Sequence, residues 1–217
     1  MGLELASNTL NYFLISLFEL VFIAGVLLYY KFKKKNLKEE FINIVSPKKL
    51  TFKAILIDIL LGLIIGIGFY YIGKLLINLT VYLVVLTFGT EFYLTGAGGQ
   101  IDVTPPILNP LDLIITIIIS FVIVGFSEEF FFRGFLNREI GKNSKIKGNI
   151  LSGVFFSLYH VFPGLVPIQT TVTFFLYYLL MALLFTGLIN YRKGNLISAI
   201  IAHGTFNSII FIMNFIN

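Results

Sequence analysis

Cysteine is absent from this 217-residue chain. No disulfide framework can form, and no thiolate chemistry is available. Charge is scarce as well. Asp, Glu, Lys and Arg together make up 12% of the residues, about half of the roughly 25% usual in a soluble domain. Hydrophobic residues reach 57%, and the mean hydropathy is +0.92. These figures exclude an ordinary soluble domain and indicate an integral membrane protein. The net charge is +5, with lysines clustered rather than spread. The run KFKKKNLK at 31–38 reads as a solvated cytoplasmic anchor, so a nucleic-acid partner is not expected. The N-terminal MGLELASNTL has neither a positive n-region nor a small-residue cleavage site. The first apolar run is therefore expected to be a retained span rather than a signal peptide. The plasma membrane is the expected location.

A bilayer-crossing helix needs about 20 mostly apolar residues. Apolar stretches lie at 10–30, 54–88, 111–132, 149–162, 170–190 and 196–216. Basic residues fall in 31–53, 133–147 and 192–193, whereas 91–112 and 161–169 contain no Lys or Arg. The positive-inside rule makes the first set cytoplasmic and the second external. Six crossings then fit, with both termini outside. The stretch 54–88 is long for one span and short for three; one tilted span with an extension is the preferred reading. The segment TGAGGQIDVTPPILNP (95–110) is rich in Gly and Pro and is expected to be irregular. The expected fold is all-α: a polytopic helical bundle of about six to eight helices with a four-helix catalytic core. Residues 1–110 form its N-terminal helices and external loop, and 111–217 its catalytic part.

Ionisable residues within spans are costly and by default functional candidates. They are few. Glu19 and Asp58 stand alone in the first two spans and read as helix–helix polar contacts. Lys74 can snorkel. Glu128, Glu129 and Arg133 end the third span, within SEEFFFR. The two histidines of the chain, His160 and His203, lie in the fourth and sixth, and Asn207 follows His203 by four. Positions four apart share a helical face. Glu129 can therefore pair with Arg133, His203 lies with Asn207, and Phe156 with His160. Glu128 sits about 100° around from Glu129 and is free to face elsewhere. Counted at about 1.5 Å per residue from the nearest basic residue, Glu128 and His203 lie about 15 Å deep, and His160 and Asn207 about 20 Å. Three spans thus bring a Glu, a His and a His/Asn pair to similar depth.

A carboxylate, two imidazoles and an amide suit attack of water on a carbonyl. Desolvation makes a buried carboxylate more basic, which suits a general base near neutral pH. Imidazole can share that proton, protonate a leaving amine or bind a metal. A His/Asn pair on one face can hydrogen-bond an oxyanion. No nucleophile competes, because Ser127 lacks a G-x-S-x-G frame. Glu128, His160 and His203 would also make a catalytic zinc set, although the H-E-x-x-H spacing is missing.

Glu128-Glu129-x-x-x-Arg133, Phe156-x-x-x-His160 and His203-x-x-x-Asn207, in that order on separate apolar helices, closely resemble the CAAX prenyl protease and bacteriocin-processing (CPBP) family. This family includes the Ras-converting endopeptidases. The resemblance covers about 111–216. It implies an intramembrane endopeptidase on an all-helical fold, with CAAX-processing members removing three residues after a prenylated cysteine. Carried over, Glu128 and His160 activate the water, His203 and Asn207 hold the oxyanion, and Glu129 and Arg133 orient the site. Family members have been described both as metalloproteases and as metal-independent glutamate proteases. The amide of Asn207, a poor zinc ligand and a good oxyanion donor, favours the second description.

The implied partners are membrane lipids and a lipidated or membrane-embedded peptide, reached from the cytoplasmic side. Two other classes remain open on sequence. A proton-coupled transporter would use Glu and His as a relay, but the halves show no symmetry. A non-proteolytic bacteriocin-immunity or binding protein would share the scaffold without the chemistry.

Overall fold

The computed structural model describes residues 7–47, 51–100 and 109–216. Among these residues the protein is helical and contains no strand. In chain order the helices are α1 (Ser7–Leu17), α2 (Leu20–Phe32), α3 (Leu37–Val45), α4 (Phe52–Phe88), α5 (Thr90–Gly98) and α6 (Pro110–Ile119). A π-helical segment, π1 (Ser120–Gly125), leads into α7 (Phe126–Glu128), and a second, π2 (Glu129–Leu136), leads into α8 (Asn137–Gly141). The chain ends with α9 (Lys145–His160), α10 (Ile168–Tyr191) and α11 (Ile197–Ile216).

Side-chain caps explain several helix starts. Asn36 accepts from Lys38 N and Glu39 N at α3, Ser144 from Lys147 N at α9, and Asn195 from Ile197 N at α11. Asn109 accepts from Asp112 N at 3.0 Å, and Pro110 opens α6 where its missing N–H costs nothing.

Five helical stretches are long and apolar enough to cross a membrane: Thr9–Phe32, Phe52–Phe88, Pro110–Gly141, Ile168–Tyr191 and Ile197–Ile216. This is an all-α polytopic bundle. The stretch 54–88 lies within one unbroken helix, Phe52–Phe88, of 37 residues, about 55 Å long, so it neither doubles nor triples back. The expected fourth span, 149–162, differs from the sequence reading. It is a helix of 16 residues, about 24 Å long against a hydrocarbon core of about 30 Å. Its end has a local cause: Pro163 disfavours helix at Phe162, and Val161 already departs to φ −136, ψ 52. The segment expected to be irregular is helical at Thr95–Gly98, inside α5. Gly96 there lies against α10, where Thr170 Oγ1 donates to Gly96 O at 2.8 Å. Residues 101–108 of that loop fall outside the described residues.

The chain divides into two compact units, each drawing on both halves of the sequence. One comprises 1–70, 103–135 and 188–217. In it Tyr12, Ile119 and Phe211 form a buried apolar cluster, and Phe22 stacks on Phe131 at 4.7 Å. The Gly62-x-x-x-Gly66 pair of α4 lets α11 approach closely. A Cβ at Gly62 would lie 2.8 Å from Ser198 O, and one at Gly66 would lie 2.6 Å from Ala202 O. The turn from α10 into α11 belongs to this unit. Lys193 (φ 58) and Gly194 (φ 92) take left-handed conformations there, and Leu196 N donates to Val45 O at 3.0 Å. Asp58, wholly buried, receives Arg192 Nε at 2.5 Å and the Asn195 amide. It is thus the helix–helix polar contact the sequence suggested.

The other unit comprises 71–102 and 136–187. Val161, Val166 and Phe174 form its buried cluster, with Ile77 and Tyr178 against them. Its α8–α9 turn is tight: Asn137 Nδ2 donates to Asn149 Oδ1 at 3.2 Å, and a Cβ at Gly148 would meet Asn137 O at 2.6 Å.

Candidate active site

Glu128 and Glu129 sit where α7 gives way to π2, with π1 one short turn upstream. Such i→i+5 segments are rare and recur at functional sites. The π geometry replaces the α-helix expected from sequence, yet the Glu129–Arg133 pairing survives, with Nη1 3.1 Å from Oε1. Both side chains are excluded from solvent, as are Glu128 and His203.

His203 reaches this pair from α11. Its Nδ1 lies 2.9 Å from Glu129 Oε1, and its Nε2 lies 4.0 Å from Glu128 Oε2. A carboxylate only accepts, so Nδ1–H is the donor to Glu129. That bond fixes the ring orientation, with Nε2 on the Glu128 side. One imidazole therefore stands between two adjacent carboxyl groups with a different nitrogen toward each. The separation of 4.0 Å at Nε2 exceeds a direct hydrogen bond and suits a bridging water. Asn207 is half-buried one turn further along α11.

His160 and Phe156 belong to the other unit. The His160 Nδ1 is 2.9 Å from Phe156 O. A carbonyl also only accepts, so Nδ1–H donates. The ring stacks on Tyr178 with centroids 4.4 Å apart and lies 4.4 Å from the ring of Phe156. The Phe156-x-x-x-His160 spacing thus has a concrete meaning: the first residue supplies both the carbonyl and the ring that hold the second.

The sequence did not reveal the His203–Glu129 bond, the π segments or the stacking of Tyr178.

Glu128, His160 and His203 are the residues that would hold a zinc ion were one bound. Among the described residues no three His, Asp or Glu side chains are grouped to hold a metal ion. The Nδ1 of His203 is held by Glu129 and that of His160 by a carbonyl, the support a metal-ligating imidazole commonly has, so Nε2 is the nitrogen each would offer.

The fold and these residues define a class: a polytopic helical membrane protein with a buried Glu/His/Arg cluster. Residues 110–209 match the Rce1-like family model, described as type II CAAX prenyl endopeptidase Rce1-like. That segment is just under half of the chain, and its similarity to the family agrees with the resemblance read from the motifs. The match indicates a CAAX-type intramembrane protease. No curated protein and no solved structure matches the chain.

Proposed function

We propose that this protein hydrolyses a peptide bond near the C-terminus of a prenylated, CAAX-type or other membrane-associated protein, using water activated by Glu128. The observation that carries this reading is His203 held by Glu129 at Nδ1 with its Nε2 turned to Glu128. A water between Glu128 and His203 would donate one O–H to each, which aims its oxygen lone pair at a scissile carbonyl. Glu128 takes the first proton as the water oxygen bonds to the carbonyl carbon. The oxyanion needs a donor. The neutral His203 ring has its one N–H on Glu129, so the Asn207 amide is the better candidate for that bond. The C–N bond then breaks as Glu128 returns its proton to the leaving amine. The new carboxyl group gives its remaining proton to His203 Nε2, and from there it leaves to water.

The resemblance assigns His160 a share in activating the water, and an Nε2 acceptor on the neutral ring suits that role. His160→Ala tests the assignment separately. The prenylated substrate rests on the family description and on the membrane-spanning helices.

The test is a cleavage assay on prenylated and unprenylated CAAX peptides, with products mapped by mass spectrometry. Glu128→Gln should keep the fold and lose cleavage by about 10²–10⁴-fold, the usual contribution of a general base. Undiminished cleavage in this variant rejects the reading.

A further inference from the structure

The first span is polar on its inner side. In α1, Thr9, Tyr12 and Ser16 are buried, whereas Leu10, Leu14 and Leu17 are exposed. The three buried positions fall on one face of a helix. The Pro110–Gly141 stretch shows the same inversion. Asp112, Thr116 and Ser120 are wholly buried at intervals of four, whereas Ile114, Ile118 and Val122 are exposed. Polar residues at membrane depth face the bundle interior or a water-filled space.

The two polar faces meet, because α1 packs on α6. Tyr12 joins Ile119 in one buried cluster, and its hydroxyl interacts with the side chains of Ser16 and Ser120. Further along, Phe22 stacks on Phe131. The two stretches therefore run in the same direction. That register sets Thr9 level with Thr116, and Ser16 between the levels of Ser120 and Ser127. From α11, Phe211 meets Tyr12 at 5.4 Å, and Asn207 lies one turn from Phe211 toward His203. The result is a seam of hydroxyl groups that runs about 18 Å from Thr116 to Glu128. Its outer end is where α1 begins and where Asn109 Nδ2 donates to Asp112 at 2.8 Å.

A hydroxyl in a span commonly returns its O–H to the carbonyl four residues back. Ser16 does so to Tyr12 O at 2.7 Å, and Ser120 to Thr116 O at 2.8 Å. Three other hydroxyls do not. Thr9 Oγ1, Thr116 Oγ1 and Ser127 Oγ are fully buried and have no hydrogen-bond partner in the protein. They stand at both ends of the seam. A buried hydroxyl left unbonded is costly, and ordered water is the usual partner where the protein offers none.

We propose that this seam binds a file of water molecules and supplies the attacking water from the membrane face where α1 begins. The supply role rests on the proposed function. Hydrolysis consumes one water for each bond cut, and Glu128 and His203 are themselves excluded from solvent. Waters in the seam bridge hydroxyls of α1 to those of the Pro110–Gly141 stretch, while the apolar outer faces keep hydrocarbon away. α1 lies outside residues 110–209, so the first span supplies one wall of this route.

The absence of cysteine lets a single introduced thiol report its own surroundings. Full-length Ser16→Cys, Thr116→Cys and Ser120→Cys proteins, in sealed vesicles of known orientation, are exposed to silver ion from one face at a time. Silver ion travels in water and not in hydrocarbon. A thiol that binds it resists later alkylation, which mass spectrometry reads. Silver added at the face where α1 begins should abolish alkylation at all three positions. It should leave alkylation intact at Leu14→Cys and Ile118→Cys, which face outward at similar depth. Equal reaction at the two sets, no protection at the seam, or protection only from the face where α2 ends overturns the proposal. Thr116→Val keeps the side-chain shape without the hydroxyl. It should lower the unfolding temperature and slow silver binding at Ser120→Cys. A raised unfolding temperature, the mark of a dry unbonded hydroxyl, counts against the seam. In cleavage assays Thr9→Val/Thr116→Val should lower kcat by about 5- to 10-fold, the scale of one hydrogen bond, with KM unchanged. An unchanged kcat overturns the supply role. A wild type that cuts no peptide rejects the proposed function instead, while silver protection still establishes the water site. If Ser120→Cys does not fold, Ser16→Cys carries the same measurement.

Discussion

Glu129 serves two partners through one oxygen: Oε1 accepts from His203 Nδ1 at 2.9 Å and faces Arg133 at 3.1 Å. A buried carboxylate without a cation is costly, and breaking a buried ion pair from one side costs about 3–5 kcal/mol. Arg133→Met should therefore lower the unfolding temperature in micelles markedly, although the side-chain volume is nearly kept. Glu129→Gln/Arg133→Met, which removes both charges, should recover much of that loss. It should still cleave slowly, because the amide holds the His203 ring less firmly than a carboxylate. If the double variant were no more stable than Arg133→Met, the ion pair would not be what holds Arg133 in place. The Glu129–Arg133 pair was legible in the sequence because four residues along a helix bring side chains together. The His203–Glu129 bond was not, because it joins residues 74 apart, and spacing on one helix says nothing of which neighbour arrives. Depth counting carried the sequence part of the way, since it put Glu128 and His203 at one level.

α11 carries His203 and Asn207, so its seat against α4 sets where the imidazole stands. The seat depends on two missing side chains, Gly62 and Gly66, one turn apart on α4. At Gly66 the obstacle to any added carbon includes a backbone atom, Ala202 O at 2.6 Å, which cannot swing aside. Gly66→Leu should cost about 1–3 kcal/mol by overpacking and should depress cleavage by shifting His203. Gly68, two residues on, has nothing within 4 Å of its added Cβ. Gly68→Leu should leave both stability and cleavage near wild type, and equal losses at the two positions would refute close packing as the cause. Unfolding temperature and cleavage rate measured together decide it. At this scale the apolar runs located the long helices, because hydropathy reports directly on burial in lipid, although the third helical stretch runs on past 132 to Gly141 and the first is broken between α1 and α2. The π segments flanking Glu128 stayed hidden, since SFVIVG and EFFFRGFL have the same apolar character that an α-helix would show. The short α9 was missed for another reason: Pro163 acts locally, whereas an apolar run is read over a window.

The crossing number follows from which ends of the helices meet. In the unit that holds the site, Gly62 and Gly66 on α4 face Ile201 and Thr205 on α11, and Phe69 meets Phe206. Positions rise together, so α4 and α11 run in the same direction. Both begin at the end where Asp58 binds Arg192 and where Leu196 N bonds to Val45 O. α10 leads into α11 through the short turn there, so α10 finishes on the α3 face of the membrane and must start on the other. α4 is unbroken and crosses once, and the Pro110–Gly141 stretch brings the chain back to the α3 face. Residues 142–167 are then left to carry it over, although α9 alone is short of a full span. The chain would make six crossings from five long helices, with α9 and the turn residues after His160 together making the sixth. The absence of cysteine makes this directly measurable, because any introduced thiol is the only one present. Single cysteines replacing Lys34, Asn143, Leu165 and Lys193, in vesicles of known orientation, should react with a membrane-impermeant maleimide in two groups. Positions 34, 143 and 193 should label from one face and 165 from the opposite face. If 143 and 165 label together and 193 labels from the other side, α9 does not cross and the count is five. The first outcome would put all three basic segments on one side, where the positive-inside rule makes them cytoplasmic.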